Sequence, residues 1–380
     1  MKVLYLIHDT TISGASISLF NLLRGLREKG VVIFIAGPKL NEKYGELVKS
    51  VDAKYYEVEP ALSVMPPLKS IRNVLAFPKN YIKLIKKKRR YQKQLYRIID
   101  EVTPALIHTN VGVLHEGLRV AEIKRIPHVM HIREYQDLDF NWRFYPSKRK
   151  FEQMVERTNT ICISKDIQQH IHLGQNPHSR VIYNGILSEK DATYNSSKKN
   201  YFMTASRISP EKSVDLTIRA FSKFITEHQD YTLRVFGDGA DVYKQALKDL
   251  CKSLSITDKV SFEGYKPDIP YYLAEAKALV VSSKNEGFGR MSAEALIKGC
   301  ALIGKNTGGT KEIMGEVDSF PFDDENECVL QMCHIANMDE AEYERKALVS
   351  QSKAIELFSI EKNIESVYSF YTEILNNYKS

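Results

Sequence analysis

Short apolar runs alternate with stretches of helical periodicity through the first half of the chain. KVLYLIH, at residues 2–8, reads as a buried strand, TTISGAS as a loop, and ISLFNLLRGLREKG as an amphipathic helix closed by Gly30. VVIFIAG, PALIHTN, PHVMHI and NTICIS follow as further strands. Strands that alternate with helical segments favour a parallel sheet covered by helices on both faces. The polar stretch YNGILSEKDATYNSSKKN breaks this rhythm and reads as a linker. The pattern then restarts. YFMTASR is a strand and VDLTIRAFSKFITEH a helix with apolar residues at helical spacing, and YTLRVFGDG, KVSFEGY, ALVVSS and CALIG are strands with helices between them. Two α/β domains are expected, residues 1–185 and 186–361. The terminal stretch IEKNIESVYSFYTEILNNY is expected to be a helix, about 362–380, that crosses back over the first domain.

Composition fits this plan and adds an asymmetry. A chain of 380 residues, 43 % hydrophobic and 27 % charged, is too long for one ordinary core and suits two folded domains. Residues 1–185 hold 30 basic and 17 acidic side chains, a net of +13, whereas the remainder is at −6. Halves of opposite sign suggest different partners. No run approaches the roughly 18 apolar residues that span a bilayer, and the N-terminus reads as a strand, not a secretory signal. Five cysteines without a CxxC pair favour a reduced, cytoplasmic chain. Cys328, Cys333 and His334 lie close in sequence, but no second ligand pair accompanies them, which argues against zinc.

Open α/β sheets bind ligands beyond the carboxyl ends of their strands, and suspicious residues of the second half fall there. Arg207 ends a strand and Lys212 opens the next helix. Gly237-Asp238-Gly239, Gly264-Tyr265, Glu286 to Arg290, and NTGGT at residues 306–310 occupy four further strand ends. Loops this rich in glycine and basic groups suit a phosphorylated ligand. In NEGFGRMSAEAL, Gly287 and Gly289 permit a tight turn and close approach of the backbone. The amides of Gly289, Arg290 and Met291 then stand at a helix N-terminus, where free N–H groups hold phosphate. Arg207 and Lys212 add two positive charges. Glu294 either accepts the hydroxyls of a ribose or sits in the first helical turn as a charge favoured by the dipole. Glu286 has less structural reason for its place and reads as a sugar-hydroxyl acceptor.

In order, ASRISPEKSVDLTIRAF, LRVFGDG, VSFEGY, SSKNEGFGRMSAEAL and NTGGTKEIM resemble the donor-binding domain of retaining glycosyltransferases of family 4, of bacterial cell-surface polysaccharide type. The resemblance implies a GT-B fold, an α/β architecture of two Rossmann-like domains whose parallel sheets face across an interdomain cleft. It makes Glu286 and Glu294 the family's E-x7-E pair, the first on the donor sugar and the second on the ribose. Arg207 and Lys212 match the pair on the diphosphate, and Gly237, Phe288 and Tyr265 fall in donor loops, Tyr265 where the nucleobase packs. Ser13 and Gly14, in SGAS, stand where the family has a Gly-Gly loop facing the donor phosphates, with serine replacing the first glycine. PHVMHIREY resembles the strand end carrying the active-site histidine, so His131 is the catalytic candidate and His108, in LIHTN, its rival.

What the resemblance implies is transfer of a sugar, with retention, from a nucleotide-sugar, UDP-linked as the best guess, to a glycan or polyprenyl-linked acceptor, with no metal or cofactor. Between Lys69 and Arg97 the chain holds eleven basic residues and no acid, with Leu, Ile, Phe and Tyr interleaved. Such a segment suits an anionic membrane surface, consistent with a cytoplasmic protein peripheral to the inner face of the plasma membrane. The plainer alternative is a solvated helix face. No nucleic-acid-binding motif accompanies the charge, so nucleic acid is not an expected partner. Two other functions compete, a sugar-nucleotide epimerase or phosphorylase of GT-B fold and a non-catalytic docking protein. A Rossmann dehydrogenase is disfavoured because no G-x-G-x-x-G follows either domain's first strand.

Overall fold

Alternation within single strands decides which face of each sheet meets which helices. In β1 (Lys2–Leu6), Val3 and Tyr5 enter one apolar cluster while Leu4 and Leu6 enter another, as the two-residue period of a strand requires. The structure is a computed structural model and describes residues 1–140 and 142–379. Chain contacts divide it into two compact units, Met1–Gly185 with Ile360–Ser380, and Ile186–Ser359.

In the first unit β1 joins β2 (Val32–Gly37), β3 (Lys54–Glu57), β5 (Leu106–Thr109), β6 (His128–Ile132), β8 (Asn159–Cys162) and β9 (Ser179–Val181). The seven strands are parallel, in the order β3-β2-β1-β5-β6-β8-β9. The short β4 (Val64–Met65) and β7 (Arg143–Phe144) pair separately and antiparallel. One face of the main sheet is covered by the helix Gly14–Glu28, through Leu19, Phe20, Leu22 and Leu23, and by the C-terminal helix Ile360–Lys379, through Val367, Phe370, Tyr371 and Ile374. The opposite face receives Tyr91, Leu95, Ile98 and Ile99 of the helix Ile71–Val102.

Two sequence expectations change here. The first helix starts at Gly14, inside the stretch expected as a loop, because Ser13 caps it. The Ser16 amide donates to Ser13 Oγ while the Ser13 amide donates to Ser16 Oγ, a reciprocal pair that satisfies two otherwise free N–H groups. The basic segment is also not one uniform surface face. From Ile71 on it lies in a single 32-residue helix whose second half turns one stripe, Lys88, Tyr91, Leu95, Ile98, Ile99 and Val102, into the core. One of its eleven cations, Lys88, is buried, donating to Ser63 Oγ at 2.7 Å and facing Glu116 at 3.2 Å. Burial pushes the Lys88 pKa down and that of Glu116 up, each against the pull of the other's charge.

The second unit holds six parallel strands in the order β12-β11-β10-β13-β14-β15, namely β10 (Lys199–Ala205), β11 (Thr232–Phe236), β12 (Val260–Gly264), β13 (Ala276–Val281), β14 (Ala301–Lys305) and β15 (Phe320–Phe322). Its core gathers Phe202, Ile218, Phe221, Phe224, Leu233 and Val235 between this sheet and the helix Val214–Phe224. Among the described residues no helix is long and apolar enough to cross a membrane.

Candidate active site

Parallel strands deliver their loops to one edge of a sheet, so the loops after β10, β11, β12, β13 and β14 converge in the second unit. The loop after β13 carries Glu286 to a half-buried position. One of its carboxylate oxygens, Oε1, accepts from Lys212 Nζ at 2.6 Å and from Ser283 Oγ at 2.8 Å. The loop after β14 is fastened to the same place, for the Gly309 amide donates to the Glu286 carbonyl at 2.7 Å. Only glycine fits at 309, since a Cβ there would lie 2.5 Å from the Phe288 carbonyl oxygen. Phe288 is buried and packs edge-on against Phe358. Gly287 therefore lies in a loop held from both sides.

Gly289 then turns left-handed, with φ of 87°, and caps the helix Arg290–Ile297 without a side-chain hydrogen bond. The N-cap glycine offers no side chain to the first amides of that helix, and a helix start of this kind is an arrangement that receives an anion. Two hydroxyls crowd the spot, for a Cβ on Gly289 would lie 3.3 Å from Thr310 Oγ1 and 3.4 Å from Ser292 Oγ. Both oxygens are buried without a protein hydrogen-bond partner. Leaving two such groups unsatisfied costs a fold free energy, and a ligand oxygen at the helix terminus would relieve it.

Glu294 is the fifth residue of this helix, beyond its first turn, which holds no acid. The dipole reading of Glu294 is thus corrected, because the left-handed Gly289 sets the helix start one turn earlier. Its side chain is buried, with Arg290 Nε 3.6 Å away, too long for a hydrogen bond. Burial pushes its pKa up, more than the nearby Arg290 and Lys298 charges pull it down. Arg207 is exposed and pairs with Glu211 at 2.8 Å. The Gly237 amide donates to the Gly264 carbonyl at 2.9 Å, tying the loops after β11 and β12 together. Tyr265, next to Gly264, is 73 % exposed and presents a free ring. The second unit thus gathers Lys212, Glu286, Gly289 and the helix amides closely, and places Arg207, Gly237, Tyr265 and Glu294 on the same set of loops and the helix they open.

In the first unit Ser13, Tyr44, Asn110, Arg133 and Glu134 line one pocket. Gly14 is the first residue of the capped helix behind Ser13. Arg133 is buried and donates to Asn110 Oδ1 at 3.1 Å and to Asn184 Oδ1 at 2.7 Å. Desolvation lowers its pKa to about 10. His131 is buried beside it. Its Nδ1 lies 3.2 Å from His108 Nε2, and His108 Nδ1 lies 2.5 Å from the Tyr371 hydroxyl, which in turn is 3.0 Å from the Tyr5 hydroxyl. Burial first, and the Arg133 charge second, hold both imidazoles well below their usual pKa, so both are neutral. His131 Nε2 has no partner. The two histidines compared as rivals are therefore partners. Tyr5 and Tyr371 were missed, and the observed strand register is what places Tyr5, His108 and His131 on one sheet face.

Residues 188–326 match the family model of glycosyl transferases group 1, and residues 12–190 that of glycosyltransferase family 4. An uncharacterized glycosyltransferase of Methanocaldococcus jannaschii is 26 % identical over 224 residues, 56 % of this chain and 59 % of that protein. The N-acetyl-alpha-D-glucosaminyl L-malate synthase of Bacillus anthracis is 32 % identical over 108 residues, 28 % of each chain. These matches span less than two thirds of either relative's length. Anabaena HepE, solved in complex with UDP-glucose, superposes with a TM-score of 0.75 at 18 % identity over 98 % of this chain and 100 % of its own. A Rickettsia africae glycosyltransferase does so with 0.75 at 15 % identity over 99 % of both. At such identities the likeness establishes the fold, which is GT-B. The two family models meet near residue 190 and together run from residue 12 to residue 326, and the chain belongs to glycosyltransferase family 4.

Proposed function

We propose that the protein is a retaining glycosyltransferase that moves a sugar from a nucleotide-sugar, UDP-linked, to a glycan or lipid-linked acceptor in surface polysaccharide or glycoconjugate synthesis. The observation that carries this reading is the second unit's cluster of Lys212, Glu286 and glycine-capped helix amides beside two unpartnered buried hydroxyls. As the sugar leaves, negative charge grows on the diphosphate. Fixed amides with Lys212 and Arg207 are disposed to stabilise it, without a metal or cofactor. In the free protein each of these cations is neutralised by a carboxylate, Glu286 or Glu211. An arriving diphosphate takes over the cation, and Glu286 is released toward sugar hydroxyls. Glu294 serves the ribose and Tyr265 the base. Ser13, Gly14 and His131 act from the first unit, His131 on the transferred sugar or the acceptor hydroxyl. Names of relatives support the polysaccharide setting, for one is a lipopolysaccharide core mannosyltransferase of Rhizobium leguminosarum.

Thermal unfolding with a panel of nucleotides and nucleotide-sugars tests this. A binder raises the midpoint with its concentration, and UDP or its sugars are expected to do so in the wild type but not in Lys212→Ala. No shift with any of them would overturn the reading. Incubation with the nucleotide-sugar alone separates the epimerase alternative, which converts it without an acceptor.

A cytoplasmic, peripheral position on an anionic membrane is part of the same proposal, and one feature favours it. Ile71, Leu75 and Ile82 are 81, 76 and 54 % exposed on the first half of the helix Ile71–Val102. Their spacing of four and seven residues puts them on one stripe. Exposed Arg72, Lys79, Lys83 and Lys86 lie on the same half. Apolar side chains inserted at the interface and about 1 kcal/mol per cation near it would hold the protein on a bilayer. Flotation with vesicles containing anionic lipid should recover the wild type and lose Ile71→Ser/Leu75→Ser/Ile82→Ser. Equal recovery of both would remove the membrane from the proposal.

A further inference from the structure

The second-unit cluster explains a charged ligand but leaves open what His131 offers. Four buried side chains form one line: Tyr5 on β1, Tyr371 on the C-terminal helix, His108 on β5 and His131 on β6. Three hydrogen bonds join them, and one further polar atom, His131 Nε2, ends the line without a partner. We infer that Tyr371 and His108 are positioning residues that fix His131 in the tautomer with its proton on Nε2, so that His131 meets its ligand as a hydrogen-bond donor and not as a base. The inference rests on the reading of His131 as a ligand-contacting residue.

Proton counting makes the choice. Both histidines and both tyrosines are neutral, because burial lowers the imidazole pKa values and raises the phenolic ones. Each member then carries one proton on its polar atoms, four protons for three bonds. A neutral imidazole donates at one nitrogen and accepts at the other, and a hydroxyl oxygen can accept twice, so all three bonds form in three ways: every proton pointing along the line in one sense, every proton in the other, or Tyr5 and His108 both donating to the Tyr371 oxygen, which leaves the buried Tyr371 hydroxyl hydrogen without an acceptor on the line.

In the first sense Tyr5 donates to Tyr371, Tyr371 to His108 Nδ1, and His108 Nε2–H to His131 Nδ1. The last proton then stands on His131 Nε2. In the reverse sense His131 Nδ1–H donates to His108, His108 Nδ1–H to Tyr371, and Tyr371 to Tyr5. The last proton is then the Tyr5 hydroxyl hydrogen, for which the described residues show no hydrogen-bond partner other than Tyr371, on a side chain that is fully buried. A ligand oxygen can satisfy the end of the line at His131. Tyr5 is fully buried in the core cluster of the first unit, away from the pocket-lining residues Asn110 and Arg133 that neighbour His108 and His131 in the sequence. Only the first sense leaves every buried donor paired in the bound protein, and an orphaned buried donor is what folds avoid.

The chemistry that fits His131 is therefore an oxygen with a lone pair to give, such as a sugar hydroxyl or ring oxygen. Proton removal from an acceptor hydroxyl would need a bare Nε2, and this line withholds it.

Long-range proton–nitrogen correlation spectra of the histidine-labelled protein, without any ligand, test the inference, and His131→Gln and His108→Gln assign the signals by their loss. The wild type is expected to show His131 and His108 each with a protonated-type Nε2 and a bare-type Nδ1. The reversed pattern, with the proton on Nδ1 of His131, would overturn it. In Tyr371→Phe the bond that orients His108 is gone, and the His131 shifts should move toward the average of the two tautomers. Unchanged His131 shifts in a folded Tyr371→Phe would remove Tyr371 from the role. If that variant does not fold, the wild-type His108 pattern decides. These spectra do not depend on sugar transfer, so failure of the transferase reading, seen as absent nucleotide binding, is a separate result.

Discussion

The ligand-facing edges of the two sheets solve opposite problems. In the second unit, the two candidate phosphate-binding cations are half-buried or exposed and each is neutralised by a near neighbour, Lys212 by Glu286 and Arg207 by Glu211. The exposed Arg207–Glu211 pair contributes little to stability and exchanges partners at small cost, and a diphosphate offers the half-buried Lys212 the same kind of charge that Glu286 does. In the first unit the polar groups are deeply buried, and the cation Arg133 is held by two neutral amide oxygens. The histidines there are neutral. One edge is thus prepared to swap a carboxylate for a phosphate, and the other to present fixed, uncharged donors. The difference teaches that affinity for a charged leaving group and orientation of a neutral sugar are separable properties of this chain.

The strongest way to break that comparison is Lys212→Ala. If the second unit's charges carry the diphosphate, transfer should fall by about 10²- to 10³-fold with little change in folding stability, measured by initial rates and by urea unfolding of the same preparation. Wild-type rates would sink the site assignment. The reverse pattern is expected of Arg133→Ala. That change leaves the Asn110 and Asn184 amides without their buried partner and should cost on the order of 3 kcal/mol of unfolding free energy. Arg207→Ala should cost under about 0.5 kcal/mol in the same measurement. Equal losses at positions 133 and 207 would erase the contrast between the edges.

How much of this was legible in sequence follows the same division. The second unit's site is written in local motifs. Gly287, Gly289 and Gly309 mark loops where the backbone must come close, and Lys212 and Glu286 sit at strand ends that any parallel sheet gathers. The Lys212–Glu286 bond itself was not foreseen, because it joins residues 74 apart in the chain. In the first unit the decisive contact joins His108 to Tyr371, 263 residues away. No periodicity within a strand announces which side chain of a distant helix will cover it. It is the observed register, Tyr5 opposite His108 and His108 opposite Val129, two residues before His131, that puts the three on one face. The split of the basic helix was hidden for a similar reason. Lys88 follows Lys87 in an unbroken run, and only its burial against Ser63 and Glu116 sets it apart.

The finest test of the comparison lies within the second unit, at Glu294. This carboxylate differs from Glu286 in having no hydrogen-bonded cation, Arg290 Nε standing 3.6 Å away, and burial raises its pKa. A raised folded-state value means that the folded chain holds this proton more tightly than the unfolded one. The resulting stabilisation is fully present below the unfolded value, about 4.3, and is lost as pH rises through the folded value. At neutral pH an ionised Glu294 therefore works against the fold. Glu294→Gln removes the charge and keeps the shape, so it should raise unfolding free energy at pH 8 and leave it nearly unchanged at pH 4. Nucleotide affinity should move the other way, weakening by about tenfold, because an amide offers one acceptor oxygen to the ribose where a carboxylate offers two. Urea midpoints at the two pH values, with titration calorimetry of UDP at pH 8, measure both quantities. A variant that loses stability at pH 8 would show that Glu294 is held for the fold, and the burial of its charge would need another reason than the ligand.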